Sequence, residues 1–126
     1  SSMAMCKHDR NLTDEQLKAL AQNGGVAQVC LLDRYINEDY KNASLTDAIE
    51  HIDHMVKVAG IDHVGIGSDF DGGGGIIGCE SDNDFIQITV KLIEKGYTEE
   101  DIAKIWGGNL MRVLDEVQAT ASVKTL

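Results

Sequence analysis

Residues 62–75 have the sequence DHVGIGSDFDGGGG. The apolar residues of this stretch alternate with small ones, which is typical of a short strand that packs closely on both faces. Two acids, Asp69 and Asp71, end the strand, and a run of glycines follows them. In parallel α/β proteins the carboxyl ends of the strands carry the chemistry, so the stretch predicts a strand that delivers a carboxylate to a functional site. A turn capped by aspartate is the simpler alternative.

The composition indicates a single soluble globular domain with a strong negative charge. The chain has 126 residues, of which 43% are hydrophobic and 25% charged, and its net charge is −10. Such a charge repels phosphate groups, so we expect no nucleic acid and no anionic membrane among its partners. The apolar runs are shorter than the roughly 18 residues needed to cross a bilayer, so we expect no membrane segment.

The three cysteines, Cys6, Cys30 and Cys79, lie far apart and show no CxxC spacing. This pattern argues against a disulfide framework or a structural zinc site and favours free thiols. Together with the lack of an export signal at the first residues, the free thiols favour a cytoplasmic location.

Hydrophobic periodicity divides the chain into alternating helices and strands. Capping pairs predict helix starts at Thr13, Ser44 and Thr98. The predicted elements are a helix over 13–24, a strand over 26–32, a loop over 33–42, a helix over 44–60, a strand over 62–70, a helix over 82–96, a short helix from 98 and a last helix over 109–119. This order predicts βα units around a parallel sheet. Two parallel strands cannot cover their own edges, so we expect the chain to be part of a larger sheet or barrel.

The histidines do not form an evident metal site in the sequence. His51 and His54 lie three residues apart on the central predicted helix, His51 at the edge of the apolar stripe and His54 on the solvated side. His63 is expected at the end of its strand opposite the functional end. We therefore expect none of these side chains to be a metal ligand.

A calcium-binding module is an alternative function. Asp69, Asp71 and Glu80 occupy loop positions 1, 3 and 12 of an EF-hand, although Gly73 removes the ligand at position 5. An EF-hand also needs a helix leading into its loop, and the preceding residues favour a strand.

Three motifs resemble the C-terminal portion of the membrane (renal) dipeptidase family of zinc peptidases. They are RNLTDEQLKALAQNGGV, HIDHMVKVAGIDHVGIGSDFDGG and GGNLMRVLDEV, and they span nearly the whole chain. The resemblance implies that residues 1–126 are the C-terminal fragment of a single (β/α)8 TIM barrel domain of the metal-dependent hydrolase type. It also implies dipeptide hydrolysis by a metal-activated hydroxide at a site with two zinc ions.

The resemblance assigns roles to four residues of this chain. Arg10 matches the arginine that binds the carboxylate of the dipeptide, and Tyr35 matches a tyrosine at the rim of the pocket. Asp69 matches the catalytic aspartate near the metal-bound water, where it contacts the substrate amine and assists proton transfer. Asp71 is expected to support the site by accepting backbone hydrogen bonds in the glycine turn.

The zinc ligands of this family come from earlier strands, the last of them in a Ser-His-Ser motif that would precede the first residue. The resemblance therefore implies that this chain holds no metal ligand and is inactive alone. A noncatalytic scaffold derived from the family and a homo-oligomer formed through exposed edges stay open. Without the resemblance, a surface ion pair with Asp9 or Asp14 is the simpler role for Arg10.

Overall fold

The computed structural model describes residues 1–122. The helices are α1 (Asp14–Gln22), α2 (Asp33–Ile36), α3 (Leu45–Ala59), α4 (Phe85–Glu94), α5 (Glu99–Ala103) and α6 (Asn109–Ser122), and the strands are β1 (Ala27–Cys30) and β2 (Val64–Gly67). Short 3-10 turns lie at Tyr40–Asn42, Ile61–His63, Phe70–Gly72 and Asp82–Asp84. Both strands are shorter than predicted. For β2 the reason is that 3-10 turns occupy residues before and after the strand. No helix in the described part of the chain is long and apolar enough to span a bilayer.

The two strands pair in parallel, as the sequence predicts. Their register runs from Ala27 opposite Val64 to Cys30 opposite Gly67. Side chains alternate between the two faces of a strand. Ala27 and Val64, which lie opposite each other, are both buried on the face that the helices cover. The opposite face carries Cys30, Gly67 and an exposed glutamine, Gln28, whose side chain crosses both glycines of β2. One face of the sheet is therefore packed, and the other is thinly covered.

The core lies between the packed face of the sheet and the central helix α3. Val29 and Val64 contribute from the strands, Ile52 and Met55 from α3, and Leu17 from α1, and all five are at most 1% exposed. The helical periodicity of residues 44–60 predicts this apolar face, and α3 confirms it. Burial of these side chains supplies the main driving force for folding the described residues.

The predicted capping residues are confirmed. The hydroxyl groups of Thr13, Ser44 and Thr98 each accept a hydrogen bond from a backbone N–H group in the first turn of the helix that follows. In each case the third residue of the helix bonds back to the cap, which satisfies two free N–H groups at once.

One prediction about the chain path is wrong. Residues 33–42 are not a loop but contain α2 and the turn at Tyr40–Asn42. The last helix begins at Asn109 as predicted, and a π-helical segment at Lys104–Gly108 joins it to α5 without a break. The side chain of Asn109 anchors this junction by donating hydrogen bonds to the carbonyl groups of Ile61 and Val64 at 2.7 and 2.9 Å.

Candidate active site

A cavity of about 500 Å³ lies beside β1 and reaches the carboxyl ends of both strands. Arg10, Tyr35 and Asp69 all contribute to its wall, although they come from three separate segments of the chain. Asp69 follows β2, Tyr35 lies in α2 directly after β1, and Arg10 lies in the segment before α1. The structure thus brings these predicted site residues together at the edge of a parallel sheet where ligands commonly bind.

The backbone around Asp69 is held in an unusual conformation. Asp69 has a φ of 57° and is the only residue other than glycine with positive φ among residues 1–122. Its carbonyl oxygen accepts hydrogen bonds from the N–H groups of Gly72 and Gly74 at 2.9 and 2.7 Å. A methyl group on Gly72 would overlap the carboxylate of Asp69, and one on Gly74 would overlap the backbone oxygen of Ser68. The glycines therefore allow the turn to close tightly around the acid.

Cys30, the last residue of β1, contacts the carboxylate of Asp69. Its Sγ atom donates a weak hydrogen bond to Oδ2 at 3.5 Å. Burial raises the pKa of the Cys30 thiol, and the negative charge of Asp69 raises it further, so the thiol stays protonated and can donate. The hydroxyl group of Ser1 bonds to both backbone groups of Cys30. Sequence reasoning did not identify Cys30 as a site residue.

The guanidinium group of Arg10 lies over the ring of Tyr35 and pairs with neither Asp9 nor Asp14. Its Cζ atom lies 5.9 Å from the centre of the Tyr35 ring, within reach of a cation–π interaction. The ring of His8 lies 4.6 Å from that of Tyr35 and accepts a hydrogen bond from the Arg10 backbone. Asp14 instead pairs with His54 at 2.8 Å, and within the described residues neither Asp9 nor Asp14 binds Arg10. The guanidinium group is left available to the cavity.

The carbonyl groups of α2 are held by three buried side chains that we call the α2 clamp. The pairs are Cys6 Sγ with Arg34 O at 3.4 Å, Asn11 Nδ2 with Tyr35 O at 2.9 Å and His51 Nε2 with Ile36 O at 2.9 Å. The Nδ1 atom of His51 accepts a hydrogen bond from the Ser2 backbone at 3.0 Å, which places the ring proton on Nε2. The clamp thus ties the segment that carries Arg10 to the helix that carries Tyr35.

The predictions for the helix histidines need correction. His51 does not lie at the edge of the apolar stripe but is 1% exposed. The sequence held a signal for this position, because His51 follows buried Ala48 by three residues and precedes buried Met55 by four. His54 is not fully solvated either, since its side chain is partly buried against α1 through its pair with Asp14.

Asp71 and the calcium alternative are also corrected by the structure. Asp71 is exposed in the turn at Phe70–Gly72, and within residues 1–122 its carboxylate accepts none of the backbone hydrogen bonds of the glycine turn. The carbonyl oxygen of Asp69 accepts them instead. A strand rather than a helix leads into the loop, which rules out an EF-hand.

The chain does not provide a metal centre in its described part. No group of three or more His, Cys, Asp or Glu side chains within residues 1–122 could hold a metal ion. Asp69 and Cys30 are neighbours, but two such side chains do not complete the coordination of a bound transition metal. What the cavity does offer is a planar cation, an aromatic ring and a carboxylate, which suit a ligand with an anionic end and a cationic end.

Comparison with known proteins assigns this chain to a family of peptidases. The profile of the membrane dipeptidase family, peptidase family M19, matches residues 1–126, so the chain belongs to that family. Among curated relatives, dipeptidase aclJ of Aspergillus oryzae is 37% identical over 96% of the chain, and dipeptidase ataJ of Aspergillus terreus is 38% identical over 96%. The chain spans only 29% and 30% of the length of these two relatives.

Two solved peptidase structures share the arrangement of helices and strands. The probable dipeptidase PvdM of Pseudomonas aeruginosa superposes with a TM-score of 0.87 at 28% identity, covering 94% of this chain and 44% of that one. A metallopeptidase of Rhodobacter sphaeroides, crystallised with a phosphinate mimic of the dipeptide L-Ala-D-Ala, gives a TM-score of 0.85 at 27% identity. That match covers 90% of this chain and 33% of the other.

Proposed function

We propose that this chain is the substrate-binding, C-terminal part of a zinc-dependent dipeptidase and that it is inactive alone. In this proposal Arg10 binds the carboxylate of the dipeptide, Tyr35 lines the rim, and Asp69 binds the substrate amine and accepts a proton. The observation that carries the proposal is the shared cavity of these three residues, which are distant in sequence. A guanidinium group and a carboxylate on one wall match the two charged ends of a free dipeptide.

The proposal that the chain completes a (β/α)8 barrel is supported by its unpartnered surfaces. The thinly covered face of the sheet carries Gln28 and Cys30 above two glycines, whereas strands of parallel sheets are normally covered on both faces. Two helices also expose apolar stripes; these are Ile86, Val90 and Ile93 on α4 and Leu110, Leu114 and Val117 on α6. Stripes of this kind commonly mark a surface that another segment covers.

We further propose that the zinc ions are bound by polypeptide outside this chain. Supporting this is the lack, within residues 1–122, of any cluster that could hold a metal ion, in a chain whose relatives are more than three times longer. The contribution of this chain is then recognition of the dipeptide and a carboxylate for proton transfer, and not metal binding.

Titration of the purified chain with L-Ala-D-Ala, followed by NMR, tests the proposed recognition. We expect weak saturable binding with shifts at Arg10, Tyr35 and Asp69, and loss of binding in Arg10→Gln. Amidation of the dipeptide carboxylate is the matched ligand control, because it removes only the group that Arg10 would bind. Shifts that cluster away from the cavity, or equal binding of the amide, would contradict the assigned roles.

Activity and metal content of the same chain test the proposed division of labour. We expect no dipeptide hydrolysis above the uncatalysed rate in the presence of zinc, and no stoichiometric zinc after gel filtration. Chelator-sensitive hydrolysis by the pure 126-residue chain would show that the metal ligands lie within it.

A further inference from the structure

We infer that Asn11 is a positioning residue of the dipeptide site proposed above, on which its role depends, because it fixes Arg10 and Tyr35 with respect to each other. Asn11 directly follows Arg10, borders the cavity and is 3% exposed. Its Nδ2 atom donates to the carbonyl oxygens of Cys6 and Tyr35, both at 2.9 Å. One amide group therefore joins the turn that presents the guanidinium to the helix that presents the aromatic ring.

The unused half of the Asn11 amide supports this role. Its Oδ1 atom is buried and has no hydrogen-bond partner within residues 1–122. A buried oxygen without a partner lowers stability, so the useful contribution of this side chain consists of its two donated hydrogen bonds. The Nδ2 group donates twice, to the carbonyl oxygen of Cys6 in the segment before Arg10 and to that of Tyr35, which lines the cavity. The amide acts as a pure donor, which a carboxylate of the same shape cannot replace.

The other two members of the α2 clamp hold the same helix but do not reach Arg10. Cys6 donates through sulfur at 3.4 Å, and His51 contacts Ser2 at the far end of the segment. Only Asn11 among the clamp residues adjoins Arg10 in the chain and bonds to Tyr35 itself. Losing it should free the guanidinium from its position 5.9 Å from the ring and loosen the turn at Cys6, while His51 still holds the carbonyl group of Ile36 in α2.

Asn109 provides a matched control for a substitution at Asn11. It is also 3% exposed, and its Nδ2 atom donates to two carbonyl oxygens, those of Ile61 and Val64. Neither of its partners borders the cavity. Asn11→Asp and Asn109→Asp each remove two hydrogen bonds from an amide to carbonyl oxygens, at equally buried positions. A difference between the variants therefore reports the position of the residue and not the general cost of losing a buried amide.

The experiment compares both variants with the parent chain, unliganded, by NMR. We expect Asn11→Asp to abolish the nuclear Overhauser effects between the Arg10 side chain and the Tyr35 ring, and Asn109→Asp to preserve them. Alkylation resolved by mass spectrometry gives a second readout, because Cys6 and Cys79 are both buried. Local opening in Asn11→Asp should speed labelling of Cys6 about tenfold while Cys79 keeps its parent rate.

Retention of the Arg10 to Tyr35 contacts in Asn11→Asp, or their equal loss in Asn109→Asp, would overturn the inference. If Asn11→Asp does not fold, Asn11→Ser serves in its place, since one hydroxyl donor remains; weakened contacts then support the inference and unchanged contacts refute it. These measurements need no dipeptide. A failure of the proposed function therefore appears only in the L-Ala-D-Ala titration, and a failure of the positioning role only here.

Discussion

Acidification from pH 7 to pH 5 is expected to destabilise the chain chiefly through His51. Burial lowers the pKa of this imidazole from 6.5 to about 4. The hydrogen bond to the Ile36 carbonyl and the Asp47 carboxylate oppose this effect, whereas the N-terminal amine and His54 add to it. A proton on Nδ1 would also remove the acceptor for the Ser2 backbone N–H group. The charged ring is therefore disfavoured both by burial and by the loss of this hydrogen bond.

The sign and size of the effect follow from the two pKa values. The unfolded chain binds a proton at His51 near pH 6.5, and the folded chain only near pH 4. Between these values the unfolded state holds more protons, so the stability present above pH 6.5 is lost as the pH falls through 4. The difference corresponds to roughly 3 kcal/mol in total, of which roughly 2 kcal/mol is lost between pH 7 and pH 5.

Urea unfolding followed by fluorescence of the single tryptophan, Trp106, measures this loss. The parent chain should lose roughly 2 kcal/mol more between pH 7 and pH 5 than His51→Gln, which cannot titrate. His54→Gln, on the same helix but partly exposed, is the matched control for the loss of an imidazole. The carboxylates of Asp53 and Asp84 have pKa values lowered by hydrogen bonds, so they titrate below this interval.

Two results would refute this reasoning. A loss below roughly 0.5 kcal/mol in the parent chain would mean that the folded state accepts the proton on His51 without penalty. An equal loss in the parent chain and in His51→Gln would assign the pH dependence to other groups.

Three further substitutions test the site and the fold. Gly74→Ala should destabilise the chain by about 2 kcal/mol or more in urea unfolding, because its methyl group would overlap a backbone oxygen, whereas Gly107→Ala, with no atom nearby, should be neutral or stabilising. Asp69→Asn should speed alkylation of Cys30 at pH 8 severalfold, because removing the charge lowers the pKa of the thiol. An unchanged rate would contradict the contact between Cys30 and Asp69. Ser44→Ala should lower the free energy of unfolding by about 1 kcal/mol through loss of the cap on α3, and an unchanged denaturation midpoint would show that the capping bond contributes nothing.

Local signals in the sequence account for the elements that fold by short-range rules. The apolar spacing of residues 44–60 and the capping pair at Ser44 predict α3 almost to the residue. The glycine-rich run after β2 predicts a tight turn around an acid, and Asp69 stands there with positive φ. The prediction that Arg10 belongs to the same site as Asp69 came from the family resemblance. No sequence periodicity links two positions so far apart in the chain.

The elements that sequence reasoning missed depend on distant partners. Helix α2 has only four residues, too few to be stable by propensity, and its carbonyl groups are satisfied by the α2 clamp. The burial of His51 depends on the backbone of Ser2 and the carbonyl group of Ile36, neither of which lies near it in sequence. The glycines within Lys104–Gly108 suggest a break, but close packing against β2 and the anchor at Asn109 hold the helix together.

The cavity wall draws its described residues entirely from the first 72 positions of the chain. Helices α4, α5 and α6 contribute none of these residues, and their buried side chains pack in the core instead. The first stretch thus supplies both the cavity wall and much of the core, whereas the second supplies core side chains only. Substitutions in the second stretch can therefore alter the stability of the protein while leaving every residue of the cavity wall in place.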